Sequence, residues 1–174
     1  PSEIMVLADE TANPAFIASD LLAQAEHGKD SQVLLATTSA ELLDAVEREV
    51  ANQLSMLPRA DIARESLKTG GTLVLVKDLD QGIALANAWA PEHLSLVVKN
   101  EKPVLPQLRS SGAIFVGHYS PVAVGDFLAG PSHTLPTGGA GKSFPGLTVD
   151  LFQRRTSIVK LSAKALEKSA PVVE

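Results

Sequence analysis

Ile4-Met5-Val6-Leu7-Ala8 is an unbroken apolar run, and Asn13-Pro14 follows it after a short polar turn. Such a run is the pattern of a strand buried on both faces, as in a parallel sheet covered by helices. Asn13 offers an N-cap and Pro14 a first helical position, so a helix is expected to about His27, with Gly28 placed to end it. Val33-Leu34-Leu35-Ala36 reads as a second strand. Thr38 and Glu41 have capping-box spacing before the helical stripe Leu42, Leu43, Val46, Val50 and Leu54. Pro58 ends that helix, and another is expected over 59–68. Leu73 to Val76 is a third strand, and Asp80 is placed to cap a helix over 81–89. Leu94 to Val98 is a fourth strand, a short helix is expected around Pro106, and Ala113 to Val116 is a fifth strand. Strands alternating with helices imply an α/β fold: an open, mostly parallel, Rossmann-like sheet with flanking helices.

After Val116 the texture changes. Seven Gly and four Pro fall between Gly117 and Gly146. A loop that long in a compact chain is more often functional than filler. Helical potential returns over 150–155 and 163–168. The expected organisation is a Rossmann-like core over 1–117, a Gly/Pro-rich active-site loop over 118–146 and a helical segment over 147–174.

The 174 residues suffice to bury a real core, and 45% of them are hydrophobic. A net charge of −5 without a basic, aromatic-interleaved run argues against nucleic acid as a partner. No apolar stretch approaches the ~18 residues of a membrane span. Zero cysteines exclude disulfides and thiolate zinc sites and fit a reducing compartment, so a cytoplasmic location is expected. A chain that enters a core strand almost at Pro1 is expected to be a piece of something larger.

Polar donors cluster at the ends of these greasy elements. Gln24 and His27 sit at i, i+3, about 60° apart around a helix, close enough to share a ligand. His27 also suits a helix C-terminus on macrodipole grounds alone. Pro91 forces Ala90 out of helical geometry, which puts Glu92 and His93 in a sharp helix-to-strand junction. An adjacent Glu and His can act as base and proton shuttle, and can equally be a polar pair on a surface turn. In the loop, Asp126 is a plausible hard-oxygen ligand and His133 a ligand or substrate contact. His118 has no such spacing and is assigned no role.

Pro136-Thr-Gly-Gly-Ala-Gly-Lys-Ser143 looks like a phosphate-binding loop, but Pro136 replaces the leading glycine and Pro145-Gly146 blocks the helix that should follow. A dinucleotide glycine fingerprint is also missing, because the first strand leads into Asp9-Glu-Thr-Ala-Asn13.

Taken together, several segments resemble the histidinol dehydrogenase family. They are Pro1-Ser-Glu3, Ala18-Ser-Asp-Leu-Leu-Ala-Gln-Ala-Glu-His-Gly28, Pro91-Glu-His-Leu94, Gly125-Asp-Phe127, Gly130-Pro-Ser-His-Thr-Leu-Pro-Thr-Gly138 and Asp150-Leu-Phe-Gln-Arg-Arg-Thr156, in the family's order. The resemblance implies a homodimeric, zinc-dependent enzyme that oxidises L-histidinol through L-histidinaldehyde to L-histidine with two NAD in turn. It implies Gln24, His27 and Asp126 as zinc ligands and Glu92 and His93 as the catalytic acid–base pair. It further implies substrate contacts from Ser2, Gln24, His27, His93, Asp126 and His133. The family's chain is longer at both ends, its recognised NAD contacts precede the segment matched here, and its fourth zinc ligand is a histidine from the partner subunit. This chain has no histidine after His133, so weak metal affinity and no turnover by the chain alone are expected. Two other readings are a paralogue that oxidises another alcohol and a non-catalytic metal-binding α/β module.

Overall fold

The computed structural model describes residues 2–173; Pro1 and Glu174, the outermost residues of the first and last expected segments, lie outside the described residues. The elements run β1 (Glu3–Ala8), α1 (Pro14–Ala25), β2 (Gln32–Thr37), α2 (Ala40–Leu54), α3 (Ala60–Gly70), β3 (Gly71–Leu75), α4 (Leu79–Trp89), β4 (His93–Val97), β5 (Ala113–Val116), α5 (Val124–Phe127) and α6 (Ala163–Val173). Single 3-10 turns occupy Leu105–Gln107, Ala140–Lys142 and Val149–Phe152.

All six residues of β1 are buried. Their side chains alternate between two cores, which is why the strand reads as continuously apolar. Ile4, Val6 and Ala8 pack with Ile17, Leu21 and Leu22 of α1 and with Leu42 and Val46 of α2. Met5 and Leu7 pack on the other face with Ile83 and Ala86 of α4. Gly82 lets α4 settle onto Leu7, whose side chain occupies the space a Cβ would need.

The five strands are all parallel, in the order β3-β2-β1-β4-β5. The chain winds outward from β1 to β3, then α4 carries it back past β1 to β4, so the direction of winding reverses between β1 and β4. Helices on both faces are the consequence of that reversal. The expected α/β class and parallel sheet are therefore present. Among the described residues no helix is long and apolar enough to cross a membrane.

Several local expectations shift. α1 stops at Ala25, and His27 lies in the turn beyond it, its N–H donating to the Gln24 carbonyl at 3.1 Å. The cap of α2 is Ser39 rather than Thr38: Ser39 Oγ accepts from Leu42 N–H at 3.1 Å and donates to Glu41 at 3.2 Å. α4 begins two residues early because Asp78, not Asp80, accepts from Gln81 N–H at 2.8 Å. β3 begins at Gly71, paired with Val33, two residues before the apolar run at Leu73. The stretch 150–155 makes only the 3-10 turn at Val149–Phe152. The phosphate-loop look-alike leads only into the 3-10 turn at Ala140–Lys142.

Ser39→Ala is expected to cost about 1 kcal/mol of stability and Thr38→Ala less than half of that, as read by urea denaturation. Equal costs would put the cap elsewhere.

Candidate active site

Parallel strands place every amino end on one rim of the sheet. There Ile4 pairs with His93, so Ser2 and Glu3 enter β1 beside Glu92 and His93 entering β4. α1 runs back toward the same rim to reach β2, whose Gln32 pairs with Glu3, and so delivers Gln24 and His27 there. The approach to β4 is strained. Ala90 closes α4 in the left-handed region, φ 55° and ψ 61°, its N–H bonded to the Ala86 carbonyl at 2.8 Å. It is the one non-glycine residue at positive φ among the described residues, and such outliers collect at functional sites.

Glu92 and His93 are buried and tightly held. One carboxylate oxygen of Glu92, Oε2, accepts from Ser2 Oγ at 2.6 Å and from Glu3 N–H at 2.9 Å. In return, Glu92 N–H donates to the Glu3 carboxylate at 3.3 Å. His93 Nδ1 lies 2.9 Å from the Glu3 carbonyl oxygen. A carbonyl only accepts, so this contact places the proton on Nδ1 and leaves the lone pair of the neutral ring on Nε2. Glu92 Oε2 is 3.8 Å from the same Nδ1, and the ring of Phe115 on β5 lies 6.1 Å away, tilted by 37°.

Ser2, Gln24, His27, Glu92, His93, Asp126 and His133 all line one small cleft of about 100 Å³. Every residue nominated from the sequence is thus brought together, while His118 lies outside. Gln24 is buried; His27, Asp126 and His133 are exposed at the mouth. A larger cavity of about 600 Å³ adjoins it, sharing His93, Asp126 and His133 and walled by Ile114, Phe115, Val116, Tyr119 and Leu135. Gly125 lines the larger cavity, and the Phe115 ring stands where its Cβ would be.

Among the described residues no three His, Cys, Asp or Glu side chains are gathered as a metal cluster. Gln24, His27 and Asp126 offer two such residues and an amide facing one cleft. An imidazole nitrogen, a carboxylate oxygen and an amide oxygen suit a borderline divalent ion with an open position, so the donor chemistry fits zinc.

Two site residues escaped the sequence reading. Glu3, only 4% exposed, organises both Glu92 and His93. Asp20 lines the cleft one helical turn before Gln24, and its Oδ1 accepts from Val122 N–H at 3.3 Å. Burial pushes the Asp20 carboxyl up to about 6, with the Val122 hydrogen bond acting in the opposite sense. The i, i+4 spacing of Asp20 and Gln24 was the available signal.

At the opposite, carboxyl rim the ends of β1 and β4 are bridged by Asp9, whose carboxylate accepts from Lys99 N–H at 2.7 Å and from the backbone and hydroxyl of Thr11. Open α/β sheets usually take ligands at that rim. Here the polar cleft is at the amino ends instead.

The sequence model of the histidinol dehydrogenase family matches residues 1–174. The chain belongs to the histidinol dehydrogenase family. It is 47% identical over 168 residues to the histidinol dehydrogenase of Sulfurimonas denitrificans, covering 97% of this chain and 39% of that one. It is 48% identical over 168 residues to that of Geobacter sulfurreducens, with the same coverage. The crystal structure of histidinol dehydrogenase from Elizabethkingia anophelis superposes with a TM-score of 0.94 at 39% identity, over 99% of this chain and 40% of that one. The chain thus spans about two fifths of the length of these histidinol dehydrogenases.

The raised Asp20 pKa fixes a pH dependence. The folded state holds this proton more tightly than the unfolded chain, so the contribution of Asp20 to stability is greatest when it is protonated. That contribution is lost as pH rises from 3.8 through about 6. Asp20→Asn keeps a neutral acceptor for Val122, so it should stabilise the chain above pH 6 by up to about 3 kcal/mol and have no effect below pH ~4. Urea denaturation at the two pH values checks this; a uniform effect would contradict it.

Proposed function

We propose that this chain carries the proton-transfer and metal-binding part of a zinc- and NAD-dependent histidinol dehydrogenase, which oxidises L-histidinol through L-histidinaldehyde to L-histidine. The observation that carries the proposal is the buried Glu92–His93 pair beside a cleft shared with Gln24, His27 and Asp126. When bound, zinc supplies a grip on the substrate's imidazole and amine, and NAD accepts the hydride. His93, with its lone pair on Nε2, takes the alcohol proton in the first oxidation. Glu92 takes a proton from the water that adds to the aldehyde, giving a hydrate ready for the second oxidation. Ser2 Oγ donates to Glu92, so its first task is to aim that carboxylate; contact with substrate is its second. His133 borders both cavities and is assigned to the substrate.

Gln24, His27 and Asp126 are three donors, and we assign completion of the zinc shell to the second subunit of a homodimer. The reading puts the protein in the cytoplasm and gives nucleic acid and membrane no part in it.

Zinc titration against a chromophoric chelator tests the metal assignment. His27→Ala and Asp126→Ala should each weaken binding by roughly tenfold or more, and wild-type affinity should be lower at acid pH, because protons compete with the metal for its ligands. The chain alone should show no histidinol-dependent NAD reduction. In the full-length enzyme, His93→Asn should lower kcat on the order of 10²–10⁴-fold. Undiminished zinc binding in both metal-ligand variants, or full activity of His93→Asn, would sink the reading.

A further inference from the structure

The long loop is joined to the rest of the fold by few polar contacts. Past Gly117, its backbone hydrogen bonds are local, such as Val124 to Pro121, Gly125 to Val122 and Leu128 to Val124. Among the described residues, three hydrogen bonds reach from segment 118–146 back to earlier elements: Ser120 Oγ donates to the Val116 carbonyl of β5 at 2.8 Å, and the other two end on a carboxylate. Val122 N–H donates to Asp20 Oδ1 at 3.3 Å across 102 positions of sequence. Gly138 N–H donates to Glu3 Oε1 at 3.1 Å across 135. Between those two points lie Asp126 and His133, both exposed.

The two anchors are built alike. Each carboxylate sits at the amino rim, Glu3 buried at the start of β1 and Asp20 part-buried on α1. Neither has a salt-bridge partner among the described residues, so their acceptor capacity goes to main-chain N–H groups. An ionised acceptor makes a stronger bond to N–H than a neutral one. Gly138 and Gly139 adopt φ of +66° and +78°, a double left-handed step open to glycine, and this turns the loop at the Glu3 anchor. Val122 is itself buried against the core formed by α1, so the first anchor combines a polar and an apolar hold.

We propose that Asp20 and Glu3 are positioning residues that pin the two ends of segment 122–138 to the amino rim, so that Asp126 and His133 between them face Gln24, His27 and His93. The proposal deepens the site reading above and rests on it for the roles of Asp126 and His133. Glu3 serves twice: one oxygen holds the loop and the other holds the Glu92 N–H, so loop position and catalytic-pair position share a side chain. Asp20 acts through Asp126 and touches neither substrate nor metal in this scheme.

Amide hydrogen exchange of the chain, without metal, tests the anchors directly. Asp20→Ala should speed exchange on the order of tenfold over 120–128, and Glu3→Ala should do so over 136–141 and at Glu92. Asp20→Asn, which keeps a weaker, neutral acceptor oxygen for Val122, should recover much of the protection that Asp20→Ala loses. The cores of β2 and β4 should be unaffected in all three. Unchanged loop exchange in Asp20→Ala and Glu3→Ala overturns the proposal, as does an equal loss of protection in the core strands. Zinc titration of the same variants separates the two readings. A loosened loop with zinc affinity unchanged keeps the anchors and removes Asp126 from the metal site. A protected loop with zinc affinity lost removes the anchors and leaves the metal site standing.

Discussion

Glu3 and Glu92 each accept a hydrogen bond from the other's backbone N–H, across the seam where β1 and β4 begin. The exchange fixes the first residues of both central strands in register, and the Glu3 carbonyl then receives His93 Nδ1. Three consequences follow from one seam. The Glu92 carboxylate is aimed, the tautomer of His93 is set, and the free oxygen of Glu3 is left for Gly138 of the loop. Buried carboxylates are costly unless their acceptors are used, and here main-chain donors use them. The proposed chemistry is thus carried by the rigid middle of the sheet, and the proposed metal and substrate contacts by α1 and the loop around it.

Placement of the cleft at the amino rim runs against the usual habit of open parallel sheets, whose ligands sit outside the carboxyl ends. Asp9 bears on this, since its carboxylate ties the carboxyl ends of β1 and β4 together with three internal hydrogen bonds. The path of α1 bears on it as well. A crossover helix must return to the amino rim, so residues at its C-terminal end arrive where β1 and β4 begin. Gln24 and His27 are there for reasons of topology as much as chemistry.

Most of the sheet was legible because strands buried on both faces announce themselves as apolar runs. Element edges were less legible for physical reasons that differ by site. At α2 and α4 two candidate caps lie within two residues of each other, and only the backbone path decides that Ser39 and Asp78 hold the donor. β3 is an edge strand whose first residues, Gly71 and Thr72, are exposed, so no buried apolar side chain marks its start. In the candidate cleft, Glu92, His93, His27 and Asp126 were legible as neighbours because their side chains carry recognisable chemistry, and the family to which the chain belongs was legible in the order of its segments. Glu3 and Asp20 were not. Their partners are backbone N–H groups 89 to 135 positions away, and a backbone N–H leaves no mark on sequence.

The central claim is that the amino-rim seam holds His93 with its proton on Nδ1 and its lone pair on Nε2, ready to accept a proton. Nitrogen-15 NMR of the ring, recorded on the chain with labelled histidine at alkaline pH where imidazole is neutral, reads this directly. A pyrrole-like Nδ1 and a pyridine-like Nε2, with the distinction lost in Glu3→Pro, which displaces the entry of β1, is the predicted result. A pyridine-like Nδ1 in the wild-type chain would contradict the account, because the Glu3 carbonyl would then have no proton to accept.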